Sequence, residues 1–214
     1  MKIIDIKTTI VNAEMRNWVF VKVITDKDLY GWGESTVEWK TRAVQGAIED
    51  LKPLLIGKDP RNIKQNCQIM TKHGFWKLGV IGMSAVSGIE HALWDILGKS
   101  LNTPVWQLLG GKVREKIKIY THLGMGDMNA VYRDTMETNK LNEHASFLVE
   151  KGYKAFKVVF IPFTHFTNTS QNLNKVNELM SSLRNKVGND IEIMVDFHGR
   201  CASGVSATQY IKEL

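Results

Sequence analysis

The segment IEIMVDFHGR, residues 191–200, sets Asp196 and His198 two positions apart at the end of an apolar run, with Arg200 just beyond. A carboxylate is a hard oxygen donor, and histidine is the side chain that exchanges its proton near neutral pH. Together they could hold a cation, orient a ring or deliver a proton to a leaving group. Side chains alternate along a strand, so the two share one face, about 6–7 Å apart along the chain, while Phe197 points the other way. The motif is short, and the plain alternative is an Asp196 that caps the following loop with a solvated His198.

Other candidates lie upstream. His122 closes IYTHLG, and Lys157 lies inside KAFKVVF. An unpaired ammonium among apolar neighbours is costly, so Lys157 calls for a partner or a bound anion, unless it snorkels to a strand edge. His91 and Asp95 are four apart on one helical face, spacing that suits either a metal or a structural hydrogen bond. Trp39, Phe75 and Trp76 are candidates to line a pocket or to join a core. His73 and His144 fit solvated or capping roles. His165, in IPFTHFTNTS, belongs to a segment suited to cover a ligand or simply to pack as a connection.

The elements that would position these residues change character along the chain. Residues 2–11 and 17–25 are β-rich, and DKDLYGWGES adds a turn and a third short strand, giving a meander. Helical spacing follows in TRAVQGAIEDLKPLLIG, stopping at Gly57, and in PRNIKQNCQIMTKHG, from Pro60 to Gly74. GMSAVSGIEHALWDILGKSLN is a longer helix, rich in small residues and suited to close packing. From there strands over 116–124, 154–160 and 191–197 alternate with helices over 139–152 and 171–187, and another helix begins in ASGVSATQYIKEL. Such β-then-α units call for a parallel sheet, with a site at the C-terminal ends of its strands. The expected organisation is an α+β domain over 1–112 and the first three β/α units of a larger array over 113–214.

The 214 residues are 43% hydrophobic and 23% charged, which supports a buried core and argues against disorder. Cys67 and Cys201 have no metal-ligand spacing and suggest no disulfide framework, consistent with a reducing, cytoplasmic setting. The start MKIIDIKTTIV alternates like a strand and lacks the pattern of a signal peptide, and charges interrupt every apolar run before membrane-spanning length. A formal charge of +6 is carried by scattered lysines without a basic, aromatic-interleaved block. That pattern gives little support to nucleic-acid binding, and a small anionic substrate is equally compatible with the charge.

In order, YGWGES, LLIGKDP, GMSAVSGIEHALWDILGKSLNTPVWQLLGG, KAFKVVF and VDFHGR resemble the sugar-acid dehydratases of the enolase superfamily, mandelate racemase subgroup, and most of all the galactonate type. The resemblance covers essentially the whole chain. It implies an α+β capping domain followed by a modified TIM barrel, incomplete in this chain. The reaction it implies removes a proton α to a carboxylate with the help of Mg²⁺ and expels the 3-hydroxyl, giving a 2-keto-3-deoxy acid. Sites of this superfamily pair a Lys or His base with one or two Mg²⁺ ions. By the same resemblance Asp196 is the first metal ligand and His198 the general acid. Lys157, His122 and Glu38 contact the substrate, and the full-length protein is a homo-oligomer.

Departures narrow the reading. Val159 stands where racemases of the subgroup carry a second, base lysine, so racemisation is not expected. Residues 161–173 lack the tyrosine found in the mannonate type, while STVEWK around Glu38 is nearer the galactonate pattern. The other two carboxylate ligands and the histidine base belong to later strands, so these residues alone are not expected to complete the chemistry. Gluconate-type or mannonate-type dehydratases remain the enzymatic alternatives, and a non-catalytic binding or assembly module is the alternative of another class.

Overall fold

The computed structural model describes residues 1–14, 16–123, 137–159, 161–162 and 167–214. They form two compact units, Met1–Glu115 and Lys116–Leu214.

In the first unit β1 (Ile3–Ala13), β2 (Arg16–Thr25) and β3 (Tyr30–Glu34) make an antiparallel meander in the order β1-β2-β3. Alternation along β2 buries Val19, Val21 and Val23 and turns Trp18 and Lys22 outward. The buried face meets α1 (Thr41–Leu55) through Val44, Ile48, Leu51 and Leu55, and α3 (Gly79–Leu101) through Ala85, Ile89, Leu93 and Ile96. Each of the Val, Ile and Leu side chains contributes about 1.5–3 kcal/mol relative to exposure. Between them α2 (Ile63–Lys72) adds Ile63 and Met70 to the core, and the single turn α4 (Val105–Leu108) follows α3.

Small residues set the spacing of α3 against β3. A Cβ on Gly31 would lie 2.0 Å from the Ala92 carbonyl oxygen, and one on Gly33 1.9 Å from that of Gly88. Only glycine lets the strand come this near. Asp95, also on α3, accepts the Trp32 backbone N–H at 2.9 Å, so the outer edge of β3 is partly capped by a side chain.

In the second unit β4 (Thr121–Leu123), β5 (Ala155–Val158) and β6 (Glu192–Val195) are parallel neighbours in the order β4-β5-β6. The connecting helices are α5 (Thr138–Glu150) and α6 (Ser170–Val187), and α7 (Gly204–Glu213) follows β6. Phe156 and Val158 are fully buried with Leu141, Ala145, Leu148, Val176, Leu179, Leu183 and Tyr210 from these helices. The helices therefore cover one face of the sheet. Among the described residues the three strands do not close into a barrel.

The first parallel strand is shorter than the apolar alternation over 116–124 suggests. Pairing begins at Thr121, opposite Phe156, because the chain before Ala155 is a turn around Gly152 that offers no ladder to residues 116–120. Ile117 and Ile119 are accordingly exposed. No described helix is long and apolar enough to cross a membrane.

Candidate active site

The register of the parallel sheet assembles the polar cluster. His122 pairs with Lys157, and Lys157 with Met194, so the three share the face opposite Phe156 and Val158. Asp196 lies two residues past Met194 on that same face, and its N–H donates to the Val158 carbonyl at 2.9 Å, extending the ladder by one rung. Its side chain then meets Lys157: Nζ stands 3.0 Å from Asp196 Oδ2. The partner that a lysine inside an apolar strand requires is thus the acid at the end of the next strand.

Asp196 also shapes the turn that carries His198. Its Oδ1 accepts the His198 backbone N–H at 2.7 Å, and His198 Nδ1 lies 3.2 Å from Oδ2. The loop-capping role is real and coexists with the pairing to Lys157. Burial pushes the Asp196 carboxyl upward, but the Lys157 ammonium and the amide and ring of His198 outweigh it and hold it at about 2. An ionised carboxylate only accepts, so Nδ1 carries the proton of this hydrogen bond. In the imidazolium form the ring has a second proton, on Nε2, to give.

Backbone conformation fixes the turn. His198 and Gly199 both have positive φ, 49° and 67°, and the Arg200 N–H donates to the Phe197 carbonyl at 2.9 Å. Arg200 itself is buried, and its Nη1 donates to the Ile161 carbonyl at 2.8 Å. Its place just past the strand end is visible in the sequence, but its burial is not, because the acceptor is a backbone carbonyl on another segment.

Most of the remaining candidates lie in the first unit. Glu38, in the first unit, pairs with Arg16 Nη2 at 2.6 Å. Asp95 binds Lys99 Nζ at 2.6 Å besides the Trp32 amide, and His91 faces Ser87 Oγ at 3.5 Å, so this helical pair is structural and holds no metal geometry. His73 Nδ1 lies 2.8 Å from the Met70 carbonyl at the end of α2, a capping role. Trp39, Phe75 and Trp76 are exposed and join no core. His165 lies outside the described residues.

As a ligand set for Mg²⁺ the cluster fits in part. Asp196, ionised and half-buried, supplies the hard oxygen that this cation takes. Among the described residues no group of three or more His, Cys, Asp or Glu side chains converges, so Asp196 would supply one oxygen and the described residues no complete set.

The family model of the mandelate racemase / muconate lactonizing enzyme N-terminal domain matches residues 2–110. Among curated proteins, the D-galactonate dehydratase of Klebsiella pneumoniae (strain 342) is 42% identical over 197 residues, which is 92% of this chain and 49% of that protein. Among solved structures, a member of the enolase superfamily from Salmonella Typhimurium superposes with a TM-score of 0.90 at 30% identity, over 99% of this chain and 58% of that one. An enolase from Pantoea ananatis with bound D-gluconate and Mg superposes with a TM-score of 0.83 at 28% identity, over 100% of this chain and 57% of that one. The chain spans about half the length of the curated relative it matches. An antiparallel capping sheet, helices packed on it, and parallel β/α units after it cover the N-terminal half of the enolase fold. With residues 2–110 matched as well, the chain belongs to the mandelate racemase / muconate lactonizing enzyme family of the enolase superfamily.

Proposed function

We propose that this chain carries the N-terminal part of a Mg²⁺-dependent sugar-acid dehydratase, with D-galactonate the favoured substrate. The observation that carries the reading is the contact of Lys157 and His198 with Asp196 at the C-terminal ends of neighbouring parallel strands. Similarity to a D-galactonate dehydratase supports the choice of substrate.

Each residue has a task suited to its geometry. His198, protonated on both nitrogens, gives its Nε2 proton to the departing 3-hydroxyl. Asp196 accepts from Nδ1, orients the ring and stabilises the imidazolium. The C3–O bond breaks with its electron pair on oxygen, which leaves as water. The pair released by loss of the α-proton becomes a C2–C3 double bond, and the resulting enol tautomerises to the 2-keto-3-deoxy acid. The base that takes the α-proton belongs, on this reading, to a part of the protein beyond these residues.

Lys157 places a cation beside the substrate carboxylate, His122 borders the same face, and Glu38 serves as a capping-domain contact to the sugar chain. Asp196 would be one oxygen ligand of Mg²⁺. When bound, Mg²⁺ offsets the second negative charge that the substrate carboxylate gains as the α-proton leaves.

In the full-length protein His198→Ala should lower turnover by about 10²–10⁴-fold, the usual worth of a general acid. Unimpaired dehydration in that variant would remove the assignment. A panel of aldonates decides the substrate. D-gluconate is the second candidate, favoured by its presence with Mg in the similar Pantoea ananatis structure.

A further inference from the structure

We propose that Arg200 is a positioning residue for His198: its guanidinium anchors the left-handed turn that aims the imidazole. This rests on the reading of His198 as the acid for the departing hydroxyl.

Arg200 is only 3% exposed, although arginine is rarely buried without a specific partner. Its Nη1 donates to the carbonyl of Ile161, itself fully buried, across 2.8 Å. Ile161 follows β5 and Arg200 follows β6, so the contact ties together the segments leaving two neighbouring strands. Both leave at the end where Lys157, Asp196 and His198 meet.

The segment between Asp196 and Arg200 needs such an anchor. Two successive residues, His198 and Gly199, hold positive φ, and for the histidine that conformation is intrinsically unfavourable. It persists only where the surroundings over-determine it. On the N-terminal side Asp196 Oδ1 holds the His198 N–H at 2.7 Å. On the C-terminal side the turn closes through the Arg200 N–H to the Phe197 carbonyl at 2.9 Å. The guanidinium then fixes that closing residue to Ile161. A buried guanidinium needs an acceptor in any case; here the acceptor lies on the segment leaving the neighbouring strand, so satisfying it also ties the turn to that segment. Loss of the anchor lets His198 relax, and its Nε2 leaves the line to the departing oxygen.

The test compares two leaving groups in the full-length protein. D-galactonate loses its 3-hydroxyl as water and needs a proton from His198. In 3-deoxy-3-fluoro-D-galactonate the C–F bond breaks with its electron pair on fluoride, which departs without that proton. For Arg200→Met we expect kcat on D-galactonate to fall about a hundredfold, with KM within about twofold and turnover of the fluoro acid within about threefold. A parallel fall on both substrates, as lost stability alone would give, or no fall on either, overturns the proposal. If Arg200→Met does not fold, Arg200→Lys is read by the same criterion: a selective loss on the hydroxy acid supports the proposal, and a parallel loss or none overturns it. His198→Ala run alongside separates the two claims. Should it show no selectivity for the hydroxy acid, the reading of His198 fails and this inference with it. Should it show selectivity while the Arg200 variants do not, only the role of Arg200 fails.

Discussion

Lys157 Nζ and Asp196 Oδ2 stand 3.0 Å apart across two parallel strands, each side chain about three-quarters removed from solvent. A half-buried pair of this kind acts as a unit, since removing one partner strands the other charge. Lys157→Met should destabilise the chain by about 1–3 kcal/mol, and the double variant Lys157→Met/Asp196→Asn by less than the sum of the singles, with a coupling of about 1 kcal/mol. Urea unfolding of the four proteins in the cycle measures it. Strict additivity would show that the two charges do not interact.

Close approach of β3 to α3 makes Gly31 intolerant of a side chain. With the Ala92 carbonyl oxygen 2.0 Å from where its Cβ would be, Gly31→Ala should cost about 3 kcal/mol or more. Gly46, inside α1 and with nothing within 4 Å of its Cβ position, is the contrast. There alanine should stabilise by up to about 1 kcal/mol. Chemical denaturation that gave both substitutions the same sign would contradict the packing described for β3.

Acid should weaken the loop between α1 and α2. Arg61 donates to Asp59 through Nε at 3.0 Å, Nη2 at 2.7 Å and its backbone N–H at 2.9 Å. The side-chain bonds to Arg61 outweigh the opposing effect of burial and hold the Asp59 carboxyl at about 2. A depressed carboxyl contributes fully above its unfolded value near 4, and the contribution is lost as pH falls through about 2. Asp59→Asn should therefore be less stable than the parent by about 1–2 kcal/mol near pH 6, a deficit that shrinks as pH approaches 2. A deficit unchanged between those pH values would show that ionisation is not its source.

Cys67 should resist alkylation. Burial, together with the charge of Glu90, pushes its thiol up to about 11. Since the thiolate is the nucleophile, iodoacetamide near pH 8 should label Cys67 at least about tenfold more slowly in the folded chain than in urea. Peptide mass spectrometry follows the two time courses, and equal rates would refute the assignment.

Much of this fold is legible in the sequence because it is periodic. Val19, Val21 and Val23 announce the buried face of β2, and the small residues of α3 announce its close packing. Alternation along β6 carries on to Asp196, but His198 lies beyond the strand in a left-handed turn and meets Asp196 through hydrogen bonds, not through alternation. What periodicity does not carry is register between distant segments. That Lys157 meets Asp196, that Glu38 meets Arg16, and that Arg200 reaches Ile161 each depend on which residues lie opposite one another after folding. The same limit explains residues 116–120, whose alternation is strand-like yet finds no neighbour to pair with.

The one-sided covering of the parallel sheet separates two kinds of selection by odd and even position. Along β5 and β6, Phe156, Val158, Ile193 and Val195 answer to the helices, while Lys157, Met194 and Asp196 answer to whatever enters from the other side. A substitution in the second set leaves the helix contacts of the first intact. Chemistry can therefore diversify along these strands, one alternate residue at a time, without repacking the helices on the other face.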